Sequence, residues 1–314
     1  GGNHQALGCF SAKLLERSFS PLIEANQALI VSTMIQNIIQ TWKTEDLSDA
    51  NPLFRISSES WQAQNPLWNY SLVDDQFLDT YVKQHLPKFH KSTFTKYQAQ
   101  IQRVDIFRII FMFFDGGLYS DLDAEAIAPF DLPAEQTRGI VLGSLANKAS
   151  GQHIPNAFLY AGTIQDRFWA YVLAEAEKRF RNSKGFDGAE YLTGPALLTS
   201  CFYSYKGLST DECLDHIQSF VPEICDSIGT ESAEITILEA QAIYPIDWTT
   251  LSPEELNTHL RNRMVDKKLP VTLMNESTFC INYWTHSWEI PERNLWVKIK
   301  ERLRWVRNSI SGKL

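Results

Sequence analysis

The chain has 314 residues, 44% hydrophobic and 21% charged, with a formal net charge of -8. That length and apolar content suffice for one large folded domain or two small ones, and the acidic balance argues against a nucleic-acid partner held on a basic surface. A polyanionic ligand on such a chain needs a metal ion or a local cationic pocket.

Residues 13–33 read as a helical lead-in, and MIQNIIQTW (34–42) as a short buried strand ending in polar residues and an indole. Strand ends are where α/β proteins place ligands. QAQIQRVDIFRIIFMFF (98–114) is apolar on nearly every face and stops at Gly116-Gly117, which predicts a buried helix closed by a glycine cap. LYSDLD (118–123) predicts a short strand that ends in acid. GIVLGSL (139–145) and AFLYAG (157–162) read as further strands, and DRFWAYVLAEAEKRFR (166–181) has helical period and length. TGPALLTSCFYSY begins a helix with Pro195 near its first position. ITILEAQAIYPI (235–246) reads as a strand, followed by a helix from Ser252 and the strand-like FCINYW (279–284). Strands alternating with helices predict an α/β architecture.

The chain ends in RNLWVKIKERLRWVRNSI (293–310), where Leu295, Trp296, Ile299, Leu303, Val306 and Ile310 keep helical spacing among Lys and Arg. Such a helix, with the basic stretch 293–313, either lies on an anionic membrane surface or packs on the domain. Cys9, Cys201, Cys213, Cys225 and Cys280 form no CxxC pair and no zinc-type cluster. They read as mostly buried free thiols, in keeping with a reducing compartment. Most of the 9 Trp, 11 Tyr and 18 Phe fill the core, and the rest suit flat sugar faces and nucleobases.

Asp121 and Asp123 are the sharpest local feature, because carboxylates at i and i+2 of an extended segment face the same way and can share a hard cation. A short acidic pair is more often a solvated loop; here it follows a buried helix, a Gly-Gly stop and a strand. Within that helix Arg103, Asp105 and Arg108 interrupt an apolar run, and buried charges persist only when paired or used by a ligand. Asp105 and Arg108 share a face, so they form either an internal salt bridge or a polar floor for a sugar. Trp42, after Gln40 and Thr41, can stack on a nucleobase, although such a residue is more often core. The run Tyr283-Trp284-Thr285-His286-Ser287-Trp288 groups an imidazole that could serve as a ligand, a hydroxyl and two indoles, although a lone His is usually satisfied locally.

The series QTWK (40–43), RVDIFR (103–108), GGLYSDLD (116–123), IPNAF (154–158), TGP (193–195) and HSW (286–288) resembles the glycosyltransferases with a DXD-containing sugar-binding region. These include fungal initiating α-1,6-mannosyltransferases, inositol-phosphoceramide mannosyltransferases and bacterial capsule enzymes; the glucosyltransferase domains of clostridial toxins are more distant. The resemblance spans roughly residues 34–290. It implies a GT-A nucleotide-sugar-binding fold with a mixed central sheet flanked by helices, preceded by the lead-in (1–33) and followed by the basic helix (291–314). It also implies a nucleotide-diphosphate sugar donor, Mn²⁺ or Mg²⁺, retention at the anomeric carbon, and a glycan, glycolipid or protein acceptor. Carried over by position, Gln40, Thr41 and Trp42 line the base, Asp105 and Arg108 hold the sugar, and Tyr119, Asn156 and Gly194 complete the donor pocket. Asp121 contacts ribose and the metal's water shell, Asp123 binds the metal, His286 is a further metal-side residue, and Ser287 and Trp288 contact the diphosphate. Many relatives have a His where this chain has Asn37, and a PGHP-like run in place of Thr163-Ile164-Gln165-Asp166. The donor sugar and the acceptor therefore stay open.

A glycosidase would need two carboxylates flanking the scissile bond, whereas Asp121 and Asp123 lie on one side. The non-enzymatic alternative is a sugar-nucleotide-binding or scaffold protein of the same fold. The expected location is cytoplasmic, peripheral to a membrane in one version; the alternative is a Golgi lumen with an N-terminal anchor preceding residue 1.

Overall fold

The computed structural model describes residues 34–183 and 187–285. The expected lead-in over 1–33 and the basic helix over 291–314 lie outside them, as do His286, Ser287 and Trp288.

In chain order, β1 (Asn37–Thr41) leads into α1 (Pro52–Gln64), β2 (Asn69–Val73), α2 (Asp75–His85), α3 (Pro87–Ser92) and α4 (Gln100–Phe114). Then come β3 (Gly117–Ser120), β4 (Ala124–Ala126), β5 (Ile140–Gly143), β6 (Phe158–Ala161), α5 (Arg167–Asn182), α6 (Ala189–Leu192), α7 (Pro195–Tyr205) and α8 (Thr210–Phe220). β7 (Ile235–Leu238), α9 (Ala240–Ile243), α10 (Pro253–Asp266) and β8 (Cys280–Asn282) complete the described elements. Several helices start where sequence capping rules put them. Asn51, Asp74 and Asp166 accept backbone N–H bonds in the first turns of α1, α2 and α5, while Ser209/Glu212 and Ser252/Glu255 form reciprocal capping boxes on α8 and α10.

The central sheet has six strands in the order β2-β1-β3-β6-β5-β7, and only β6 runs against the others. This is the mixed sheet flanked by helices that the sequence implied. Alternate side chains divide its faces. Ile39, Tyr119, Ile140, Leu142 and Leu159 meet α4 and α5 on one side, and Ile38, Leu118, Val141, Phe158 and Tyr160 meet Trp61 and Phe130 on the other. The lack of a polar face on α4 follows from this: Ile106, Phe107 and Ile109 to Phe113 are all buried because the helix lies inside the helical layer. Among the described residues no helix is long and apolar enough to cross a membrane, and the four cysteines seen there are free, three of them buried.

Two strand expectations need adjusting. Residues 235–246 form a strand only to Leu238 and then turn into α9, since the partner β5 ends at Gly143. A Cβ on Gly143 would lie 2.7 Å from Tyr244 Cε2, so the returning chain occupies the space a side chain would take. FCINYW contributes β8, which pairs antiparallel with β4 in a separate two-stranded sheet.

The Gly116-Gly117 stop is a geometric necessity. Their φ angles are +64° and +86°, and a Cβ on Gly117 would sit 2.5 Å from the Asn37 carbonyl oxygen of β1. A left-handed conformation alone costs an L-residue about 1–2 kcal/mol. Gly117→Ala should therefore destabilise the fold by at least about 2 kcal/mol, measured as a lower urea midpoint, whereas an unchanged midpoint would contradict this packing.

Candidate functional site

β1 is flanked by β2 on one side and β3 on the other, so the order of strand addition reverses between β1 and β3. Open α/β sheets bind ligands in the crevice beyond the carboxyl ends of the strands at such a switch point. Gln40 to Trp42 and Asp121 to Asp123 emerge there. Because β6 runs the other way, its leading residue Asn156 arrives at the same end.

The acid pair does not sit on extended chain, as the sequence suggested. β3 stops at Ser120; Asp121 N–H makes one more sheet bond to Ala157 O at 2.8 Å, and Asp121 O then accepts Ala124 N–H at 3.0 Å. This is a four-residue turn that carries the chain off the sheet towards β8. Leu122, between the acids, is 5% exposed and packs with Leu53, Phe54, Ile246, Ile281 and Tyr283. The hydrophobic peg, rather than strand alternation, sets how the two carboxylates stand.

Behind the turn lies Arg108, 2% exposed. Its Nη1 is 3.1 Å from Asp121 Oδ1 and donates to Asn156 O at 2.5 Å, while Nη2 is 3.3 Å from Asp105 Oδ1. The guanidinium also lies over the Tyr119 ring, 4.3 Å from its centroid. Burial opposes its charge, but Asp121, Tyr119 and Asp105 together raise its pKa, so it stays protonated. Asp105 is itself buried, its Oδ1 accepting Asn156 Nδ2–H at 2.9 Å and its Oδ2 the Thr193 hydroxyl at 2.9 Å. Burial pushes the Asp105 carboxyl up to about 6, against the pull of Arg108 and the two hydrogen bonds. Gly194 backs this carboxylate closely: a Cβ there would lie 3.4 Å from Asp105 Oδ2 and 3.0 Å from Glu190 Cα.

Asp121 remains partly open to solvent, its side chain 31% exposed. Its Oδ1 also accepts the Tyr119 hydroxyl at 2.8 Å, and that hydroxyl is 3.2 Å from Thr41 Oγ1. Gln40 is fully buried, donating through Nε2 to Asp121 O at 3.0 Å and to Ser57 Oγ at 3.1 Å, and accepting from Tyr70 through Oε1. Trp42 is half-buried and meets Phe54 edge-on at 4.6 Å. Asp123 is partly exposed, and its Oδ2 accepts both the backbone N–H and the hydroxyl of Thr285, at 2.7 and 2.8 Å. Burial and the nearby Asp121 charge raise its pKa, partly offset by those bonds.

The structure thus connects Gln40, Thr41, Asp105, Arg108, Tyr119, Asp121, Asn156 and Gly194 in one network, with Asp123 joined through the turn and Trp42 next to β1. No role was expected for Thr193, for Thr285, or for the buried Glu125, which Arg263 grips with two N–H groups and which accepts the Tyr283 hydroxyl at 3.1 Å. Thr193 stood visible in TGP and Thr285 beside His286; Glu125 had no local signal.

Among the described residues no group of three or more His, Cys, Asp or Glu could hold a metal ion. Asp121 Oδ2 and Asp123 Oδ1 nonetheless accept no hydrogen bond from another described residue, so each carboxylate has one oxygen that the other described residues leave unengaged. Two carboxylate oxygens fit a Mg²⁺-type ion, which keeps several waters and takes the rest of its shell from phosphates.

Residues 53–138 match the family model described as the glycosyltransferase sugar-binding region containing a DXD motif. Mannosyl phosphorylinositol ceramide synthase CSH1 of Saccharomyces cerevisiae is 35% identical over 91 residues, 29% of this chain and 23% of its own. The initiation-specific α-1,6-mannosyltransferase of Candida albicans is 28% identical over 100 residues, 31% of this chain and 26% of its own. The matched stretch spans about a quarter of the length of these curated relatives. Among solved structures, the PaToxG glycosyltransferase aligns with a TM-score of 0.41 at 18% identity, covering 69% of this chain and 89% of that one. The chain is therefore similar to DXD glycosyltransferases in the stretch that holds Asp105, Arg108, Tyr119 and the acid pair.

Raising the Asp105 pKa from the ordinary 3.8 to about 6 means that the neutral form suits the fold better. Its contribution to stability is complete below about pH 4 and is lost as pH rises through about 6. Asp105→Asn removes that loss. Relative to wild type, the stability of the variant should therefore rise steadily between pH 4 and pH 7 in urea titrations; parallel pH profiles would show that Asp105 is not held in this way.

Proposed function

We propose that the chain is a metal-dependent retaining glycosyltransferase that moves a hexose from a nucleotide-diphosphate sugar to a hydroxyl of a glycan, glycolipid or protein. The observation that carries this is the pair of oxygens that no other described residue engages, Asp121 Oδ2 and Asp123 Oδ1, at the switch point of a mixed α/β sheet with a buried guanidinium beside Asp121. The family match over 53–138 supports the same chemistry. Both curated relatives are named for mannosyl transfer, which puts a nucleotide-linked mannose first among donors to test.

Asp121 and Asp123 would hold a divalent cation, Mn²⁺ or Mg²⁺, which would supply Lewis-acid charge at the departing diphosphate. The protein residues position and shield. Trp42 offers its half-buried indole to the base, and Tyr119 and Thr41 orient Asp121 through its Oδ1. Arg108 fixes that same oxygen from behind, and Asp105 and Asn156 in turn fix Arg108. Asp105 and Gln40 are buried, so their part in donor binding runs through Arg108, Asn156 and the Asp121 backbone. His286, Ser287 and Trp288 follow Thr285 directly and are assigned to the metal and diphosphate by sequence position. The leaving phosphate itself takes the acceptor's proton on the front face, so no protein base is assigned.

Incubation with a panel of GDP- and UDP-sugars and Mn²⁺ tests this, with hydrolysis or transfer from one donor as the expected result. Binding without turnover of any donor favours the scaffold alternative. Asp123→Asn should cut turnover at least about 100-fold, several kcal/mol of lost charge stabilisation, with an unchanged melting temperature. Wild-type turnover in the folded variant would remove Asp123 from the site.

A further inference from the structure

The segment after β8 approaches the acid turn in an unusual conformation. Tyr283 N–H donates to Asp123 O at 3.0 Å, one step past the last β4–β8 pair. The next residue, Trp284, has φ +50°. A bulky non-glycine residue in the left-handed region costs on the order of 1–3 kcal/mol and persists only when its surroundings over-determine it. Three contacts do so here. Trp284 N–H donates to Asn282 Oδ1 at 2.9 Å, its indole N–H donates to Ile246 O at 2.6 Å, and its ring lies 5.2 Å from that of Tyr244.

The turn has one visible product. It swings Thr285 round so that backbone N–H and hydroxyl reach the same atom, Asp123 Oδ2, at 2.7 and 2.8 Å. A carboxylate held by one oxygen through two donors is hindered from turning about its terminal torsion, which leaves Oδ1 as the oxygen that no other described residue engages. Asp121 is treated alike, its Oδ1 engaged and its Oδ2 bonded to no other described residue.

We infer that Thr285 is a positioning residue for the metal carboxylate Asp123, aimed by the strained left-handed turn at Trp284. This rests on the glycosyltransferase reading and adds to it a residue that acts on the ion through Asp123. Removing an outer partner of a metal ligand typically weakens metal affinity 10–100-fold. The hydroxyl is one of two donors, so the lower end applies.

The test is Mn²⁺ titration of the whole chain followed by electron paramagnetic resonance of the free ion, with Mn²⁺ half-saturation of turnover measured alongside. Thr285→Val should weaken Mn²⁺ binding roughly 10-fold, while turnover at saturating Mn²⁺ and the melting temperature stay near wild type. Thr285→Ser, which restores the hydroxyl, should bring binding back to within about 2-fold of wild type. Thr285→Val with wild-type affinity overturns the inference, as does a joint loss of stability and affinity that Thr285→Ser does not repair. Wild-type protein that binds no Mn²⁺ removes the metal-site reading itself, a different failure from wild-type binding that ignores Thr285.

Discussion

A guanidinium in a hydrophobic interior must be neutralised where it stands, and Arg108 is that constraint. Its neighbours on α4 are Ile106, Phe107, Ile109 and Ile110, all buried, so its counter-charges have to come to it. Asp105 comes from the preceding turn of the same helix, Asp121 from the end of β3, and the Asn156 carbonyl from the approach to β6. Leaving a buried charge with one partner missing typically costs about 3–5 kcal/mol. The ends of β3 and β6 are therefore held to α4 by electrostatics as well as by sheet pairing. The exposed carboxylate of the acid pair is fixed by the same bond that keeps the core neutral.

A second fastening reaches the turn from the far end of the described chain. β8 pairs with β4, Tyr283 and Thr285 bond to Asp123, and Glu125, two residues on, is gripped by Arg263 of α10. Glu125 is 4% exposed, so this ion pair locks α10 and β8 onto β4 in a partly dry setting where a lost partner matters. Asp121 is held by the N-terminal half of the chain and Asp123 by the C-terminal half. The orientation of each carboxylate is thus fixed from a different part of the chain.

Much of this was legible in the residues. The apolar run to Phe114 and the Gly-Gly stop gave α4 and β3 because burial on every side and positive φ leave plain marks in sequence. The Asp105–Arg108 pairing was visible as charge at helical spacing in a greasy run. The acid pair was found, but its backbone was misread as extended, because alternation cannot distinguish a strand end from a turn whose middle residue is driven into the core. Thr193, Glu125 and Thr285 could not be singled out. Their partners lie 88, 138 and 162 residues away, and a hydroxyl or an isolated acid carries no periodic signature. β8 was seen as a strand, yet not that it would leave the main sheet, since pairing choice is a property of β4's direction and not of Cys280–Asn282 itself.

Leu122 gives the acid pair a mechanical character. Its side chain is buried among Leu53, Phe54, Ile281 and Tyr283, and the two acidic residues flank it in the chain. The two acids behave like jaws mounted on a pin seated in the core. Shifting the turn would lift that pin out of its apolar socket, and burying a leucine side chain contributes about 1.5–3 kcal/mol. The placing of the acid turn is thus governed by a greasy residue that carries no charge of its own.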